Sequence, residues 1–106
     1  MEGMGKKKRS VQVAIVGGGI IGTAVARELS RYKLDVLLIE AEPEVGWGTT
    51  KANSGIVHGG FHEEPGTLKA KYCFPGNQLY PQQCEELDVC YTQNGILLVA
   101  RNEEEM

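Results

Sequence analysis

The chain has 106 residues, 42% of them hydrophobic and 24% charged, with a net charge of −3. This is the composition of one ordinary globular domain at most. The acidic balance speaks against non-specific nucleic-acid binding, and no apolar run approaches the ~20 residues of a membrane span.

Residues 1–10, with the basic run Lys6-Lys7-Lys8-Arg9, read as a solvated tail, and residues 11–106 as the folded part. The basic run leads into a glycine turn and not into an apolar segment with a cleavage site. No signal peptide is expected, and the expected location is the cytoplasm.

Val11–Val16 is apolar apart from Gln12, the pattern of a strand covered on both faces of a parallel sheet. Gly17-Gly18-Gly19 interrupts it. From Ile20 the period becomes helical, with Gly22, Ala26 and Leu29 on one face and Ile21 and Val25 at its edge. Arg27, Glu28, Arg31 and Lys33 are polar and should face water. Val36–Ile39 is a second apolar run and ends at Glu40. Strand, helix and strand in about 30 residues make a βαβ unit with parallel strands.

Residues 41–60 carry five glycines with Thr49, Thr50, Asn53 and Ser54, which is loop composition with one short helical turn at most. Residues 66–87 read as mostly helical, with Leu68 paired to Tyr72, and Tyr80, Cys84 and Leu87 on a common face. Pro75 and Pro81 should break or kink that helix. Tyr91–Ala100 reads as a hairpin turning at Asn94-Gly95, with Ile96–Val99 as a strand. The three cysteines, Cys73, Cys84 and Cys90, match no metal spacing and are odd in number. Each reads as a small buried hydrophobe, and no metal site is expected.

Gly17-x-Gly19-x-x-Gly22 is the dinucleotide fingerprint, placed where it must be, after a strand and opening a helix. Gly17 permits the tight turn, Gly19 lets a pyrophosphate approach the backbone, and Gly22 lets the helix lie close to the strand. The helix N-terminus offers unpaired N–H groups and partial positive charge to the phosphates. Glu40 closes the second strand, where a carboxylate can accept from both ribose hydroxyls of an adenosine. The same acid disfavours NADP, whose 2′-phosphate would meet like charge. The fingerprint alone leaves NAD and FAD open. The following stretch, GWGTTKANSGIVHGGF, is rich in hydroxyls and small residues that admit a large planar ligand.

Three stretches, VAIVGGGIIGTAVARELSRY, DVLLIEAEPEVGWGTTKANSGIVHGGF and PGTLKAKYCFPGNQLYPQQCEELDV, together resemble the N-terminal part of FAD-dependent oxidoreductases of the D-amino-acid oxidase (DAO) superfamily. Within it the chain looks nearest the anaerobic glycerol-3-phosphate dehydrogenase large subunits and the L-2-hydroxyglutarate oxidases. The resemblance implies an α/β fold: the N-terminal βαβ of a Rossmann-like FAD-binding domain, then a loop, a helical segment and a hairpin, without the substrate domain. It also implies FAD as cofactor. Gly17, Gly19, Ile20 and Ile21, with Gly22 behind them, would lie at the pyrophosphate, and Glu40 and Ala41 at the adenosine. Thr49, Thr50, Asn53, Ser54 and Gly55 would run along the phosphates toward the flavin, and residues 56–60 would enter the active-site region.

Oxidising an alcohol carbon with flavin moves a hydride to the ring and a proton to a base. Of the two histidines, His58 lies in the loop that should reach the flavin and is the candidate base, the alternative being a packing or hydrogen-bonding residue beside the cofactor, while His62, followed by Glu63 and Glu64, reads as a solvated loop residue. Lys51 is a candidate for neutralising phosphate charge, and Trp47 for flanking the adenine. Glu103–Glu105 reads as a charged, frayed end.

The main reading is the FAD-binding segment of an oxidoreductase acting on a CH–OH substrate such as glycerol 3-phosphate or 2-hydroxyglutarate, with an unspecified electron acceptor. An amino-acid or amine oxidase, a non-catalytic remnant and an NAD-binding module stay open as alternatives. Two parallel strands leave one apolar sheet face to be covered, so the 106-residue chain by itself is expected to be marginally stable and without turnover.

Overall fold

The computed structural model describes residues 8–105, and the expected tail over residues 1–7 lies outside them. The described chain falls into two compact units, one ending at Ile56 and the other starting at Val57.

The first unit is the βαβ element. Strand β1 spans Val13–Val16, helix α1 Ile20–Leu29 and strand β2 Val36–Ile39. The strands pair in parallel, Val13 with Val36 through Val16 with Ile39. Val11 and Gln12, expected in the first strand, precede it. They are held instead at Asp35: the N–H of Gln12 donates to the Asp35 carbonyl at 3.0 Å, and the Gln12 side chain accepts from the Asp35 N–H at 2.9 Å. Arg9 adds an exposed ion pair to the Asp35 carboxylate at 3.5 Å.

The pleat sends Val13 and Ile15 to one face and Ala14 and Val16 to the other. Helix α1 packs on the Ile15 side, where a Cβ at Gly22 would stand 3.4 Å from the Ile15 methyl. Gly22, Ala26 and Leu29 are half-buried, as their spacing requires, while Ile21 and Val25 are exposed. On the opposite sheet face Val16 is 84% exposed and Ile39 47%. Within this unit one helix thus covers one of the two apolar faces, and the other stays exposed.

The second unit is built on α2, Leu68–Glu86. Thr67 starts it as N-cap, its hydroxyl accepting from the Ala70 N–H at 3.1 Å. Asp88 ends it in a left-handed conformation, φ 53°. The Val89 N–H then donates to the Cys84 carbonyl at 2.8 Å and the Asp88 N–H to that of Glu85 at 3.2 Å. This is a Schellman closure with aspartate at the position glycine usually fills.

Three expectations are corrected here. Helix α2 runs through Pro75 and Pro81 instead of breaking at them. Each proline removes one ladder N–H, but the capped ends and the turns between leave the rest of the ladder in place. The hairpin is absent: residues 91–100 carry no strand, and Ile96–Val99 are 63–86% exposed. Gly95 does take the left-handed turn conformation, φ 72°. The arm before it, however, is short and polar, and an isolated two-stranded hairpin has little to hold it. Among the cysteines, Cys84 is buried and Cys73 half-buried, but Cys90 is exposed. The acidic end folds as a short 3₁₀ turn at Glu103–Glu105, with Arg101 paired to Glu105 at 3.2 Å. No helix among the described residues is long and apolar enough to cross a membrane.

Among the described residues no large side chain is fully buried, and Cys84 alone is a buried apolar residue. Apolar burial is the main favourable term in folding. The 106-residue chain by itself should therefore bind an apolar-surface dye strongly and unfold over a broad urea range. A steep cooperative melt with little dye binding would contradict this.

Candidate functional site

The glycine turn joins β1 to α1, and sterics dictate its composition. Gly17 has φ 101°, a region that L side chains rarely adopt. A Cβ on Gly22 would lie 1.9 Å from the Gly17 carbonyl oxygen, so any larger residue would push the helix off the turn. Gly18, the unassigned middle position of the fingerprint, is equally constrained: its Cβ would lie 2.9 Å from both a Glu40 carboxylate oxygen and a Val45 methyl. It is the buried member of the turn. The signal was in the sequence, because the fingerprint requires two of these three consecutive glycines and the third needs its own reason.

That reason is Glu40. One carboxylate oxygen, Oε2, accepts from the Gly18 N–H at 2.6 Å. The other, Oε1, accepts from the Ala41 N–H at 2.7 Å and the Glu42 N–H at 3.0 Å. The N–H groups of Glu42, Gly18 and Ala41, in that order, hold the Glu40 carboxyl below its ordinary value of 4.5. A carboxylate has about four lone-pair positions, so one on Oε2 stays available to a ribose hydroxyl.

Residues 45–52 wrap over the turn. The Gly46 N–H donates to the Gly18 carbonyl at 2.8 Å. The Thr50 hydroxyl accepts from the Ile20 N–H at 3.0 Å, which caps α1 from a distant loop. Gly19, at the N-cap, has no side chain to do so. Among the described residues the N–H groups of Ile21 and Gly22 have no acceptor, and the first turn of α1 carries no acid. An open cleft of about 450 Å³ lies before them, floored by Gly17, Gly19 and Gly22 and walled by Val16, Thr49 and Thr50. Unpaired amides, a positive helix end and no Cβ over Gly17 are what a pyrophosphate needs.

Further along, Asn53 folds onto its own loop. Its amide donates to the Thr50 carbonyl, and its carbonyl accepts from the Gly55 N–H at 2.7 Å. Ser54 is exposed. Lys51 and Trp47 pair with each other, the ammonium lying 3.6 Å from the ring centroid.

In the second unit, His58 sits on a loop held against α2. The Asn77 side chain donates to the His58 carbonyl at 3.1 Å. Gly60, φ 79°, lies so close to Phe74 that a Cβ would stand 2.9 Å from the Phe74 nitrogen. The Gly60 N–H donates to His58 Nδ1 at 2.9 Å. His62 packs on Phe61, ring centroids 4.0 Å apart.

Sequence reading passed over a third group. His58, Glu63 and Cys73 bring one donor atom each within 4.8 Å of one another. A metal held through His58 Nε2 would leave the ring proton on Nδ1. There it would confront the Gly60 N–H, donor against donor, so the hydrogen bonding opposes ligation.

The family model described as FAD-dependent oxidoreductase matches residues 12–106. The chain belongs to that family. FAD-dependent oxidoreductases use FAD as cofactor, and the glycine turn, the open amides of α1 and Glu40 are residues of the kind that hold it. The chain is 50% identical over 94 residues to the glycerol 3-phosphate dehydrogenase of Caloramator mitchellensis, covering 89% of this chain and 20% of that protein. It is 40% identical over 105 residues to the mitochondrial L-2-hydroxyglutarate dehydrogenase of Dictyostelium discoideum, covering 97% and 24%. To the glycerol 3-phosphate oxidase of Mycoplasma genitalium it is 41% identical over 98 residues, covering 92% and 26%. The chain thus spans about a fifth to a quarter of the length of these relatives.

The lowered Glu40 value fixes a sign. The ionised form is favoured by folding, so its contribution is complete above about 4.5 and is lost as pH falls through the lower folded value. The Gly18 amide resonance should therefore hold steady above that range and move below it, and Glu40→Gln should abolish the movement. A Gly18 amide indifferent to pH in the parent chain would show that the bond to Glu40 is not populated.

Proposed function

We propose that the chain is the FAD-holding segment of a flavin-dependent dehydrogenase or oxidase that oxidises a CH–OH carbon of a small anionic substrate, of the glycerol 3-phosphate or 2-hydroxyglutarate type. The observation that carries this is the match of nearly the whole chain to relatives bearing those two substrate names, at 37–50% identity. Bound FAD would accept the hydride. The residues in hand do the rest of the work described for them: α1 and Glu40 anchor the adenosine diphosphate end, and His58 takes up the substrate proton. The loop at residues 46–61 favours FAD over NAD, because its small and hydroxyl residues admit a large planar ligand continuing past the pyrophosphate. A cytoplasmic location belongs to the same proposal, and cell fractionation tests it against the mitochondrial location that several relatives carry in their names.

The test is anaerobic reduction of the FAD-loaded protein in its complete form. Glycerol 3-phosphate or L-2-hydroxyglutarate should bleach the visible flavin band, and D-amino acids should not. Bleaching by an amino acid alone would replace this reading with an amine oxidase. Competition titration should rank FAD above NAD, and Glu40→Ala should weaken FAD by roughly tenfold to a hundredfold while leaving FMN unaffected. NAD binding tighter than FAD would defeat the cofactor assignment. The 106-residue chain by itself should show no turnover with an artificial electron acceptor.

A further inference from the structure

Glu63 stands apart from the other acids of the second unit. Its side chain is 11% exposed, whereas its neighbour Glu64 is exposed. A carboxylate removed from water needs donors. It has Lys69 Nζ at 3.8 Å from one oxygen and His58 Nε2 at 3.4 Å from the other. Lys69 is 78% exposed and well solvated, so its pull is weak. The imidazole is the closer group.

The two ring nitrogens of His58 have different partners. Nδ1 receives the Gly60 N–H at 2.9 Å, which requires a lone pair there. A neutral imidazole with an acceptor at Nδ1 carries its proton on Nε2. Nε2 lies 3.4 Å from a Glu63 carboxylate oxygen, an ion-pair contact without hydrogen-bond alignment. Phe61 and His62 pack beside the ring, with centroids 6.2 Å and 5.9 Å away. Cys73 completes the surroundings as a small half-buried side chain.

We infer that Glu63 is a positioning residue for His58, holding the ring with Nε2–H toward its carboxylate and the basic lone pair at Nδ1. This rests on the proposed proton-accepting role of His58. The arrangement follows the logic of a carboxylate that orients a catalytic imidazole, with the two ring nitrogens exchanged. When a substrate hydroxyl gives up its proton, the O–H bond breaks and an Nδ1–H bond forms. The Gly60 N–H must then turn away, since two donors would otherwise meet. The imidazolium produced lies beside Glu63, which stabilises the new charge while Nε2 keeps its proton.

The test uses the complete protein with FAD bound and ¹⁵N-labelled histidine. In the parent, His58 Nδ1 should resonate as a pyridine-type nitrogen and Nε2 as a pyrrole-type one. Glu63→Ala should move both toward averaged values and lower kcat about tenfold or more, with KM changed by less than about twofold. Glu63→Gln, whose amide oxygen keeps an acceptor beside Nε2–H, should restore both readouts. The exposed Glu64→Ala should match the parent, and flavin content reports folding of every variant. An unchanged tautomer and kcat in Glu63→Ala, or a parent with the proton on Nδ1, would overturn the inference. The proton-accepting role itself is judged separately by His58→Gln: an unchanged kcat there removes that role, whatever the tautomer measurement returns.

Discussion

The bond from the Gly18 N–H to the Glu40 carboxylate ties the end of the second strand to the turn that begins the helix. This bond requires glycine at 18, while Gly17 is required by its left-handed φ of 101° and Gly22 by the approach of the helix to the Gly17 carbonyl. A side chain at Gly18 would collide with the carboxylate it must meet, and one at Gly22 with the carbonyl of Gly17. The same bond, with those from Ala41 and Glu42, keeps Glu40 ionised and oriented. Under the proposed role of Glu40 at a ribose, the accepting group is thereby fixed before any ligand arrives, so less ordering is left to binding.

The helix terminus shows the same economy of parts. Thr50 reaches back across 30 residues of sequence to cap the Ile20 amide. Two amides behind it are left unpaired, where a diphosphate can reach them. Capping by a distant loop residue links the conformation of residues 45–52 to the first turn of α1. In the second unit the loop around His58 is tied by hydrogen bonds from Asn77 and Gly60, with the Glu63 carboxylate 3.4 Å from the ring.

Much of this was legible in the sequence, for physical reasons. A short continuous apolar run that gives way to a 3.6-residue period at a glycine turn reads as strand to helix. The position of Glu40 follows from where the second apolar run stops. Gly18, Thr50 and Glu63 were harder, because each acts through a contact that spacing does not encode. Glu63 sits in a polar loop beside an exposed glutamate and looks the same as it. The hairpin at residues 91–100 was misread because Asn94-Gly95 marks a turn and says nothing about whether the arms have a sheet to join. Helix α2 was legible from its apolar pattern over residues 66–87, but the break expected at Pro75 and Pro81 does not occur: proline lowers the stability of a ladder, and caps at Thr67 and Asp88 bound it on both sides. Lys51 and Trp47 are separate candidates for phosphate and adenine on sequence grounds, and in the structure they meet each other in a cation–π pair.

The central claim is that the glycine turn and Glu40 together form the seat of an adenine dinucleotide. A titration of the ¹⁵N-labelled chain with FAD, followed amide by amide, tests it most directly. The amides of residues 17–22 and of Glu40 and Ala41 should shift along one binding curve. Those of Arg27–Ser30, at the far end of α1, should stay in place. Shifts absent from the turn, or spread without preference over both units, would contradict the account.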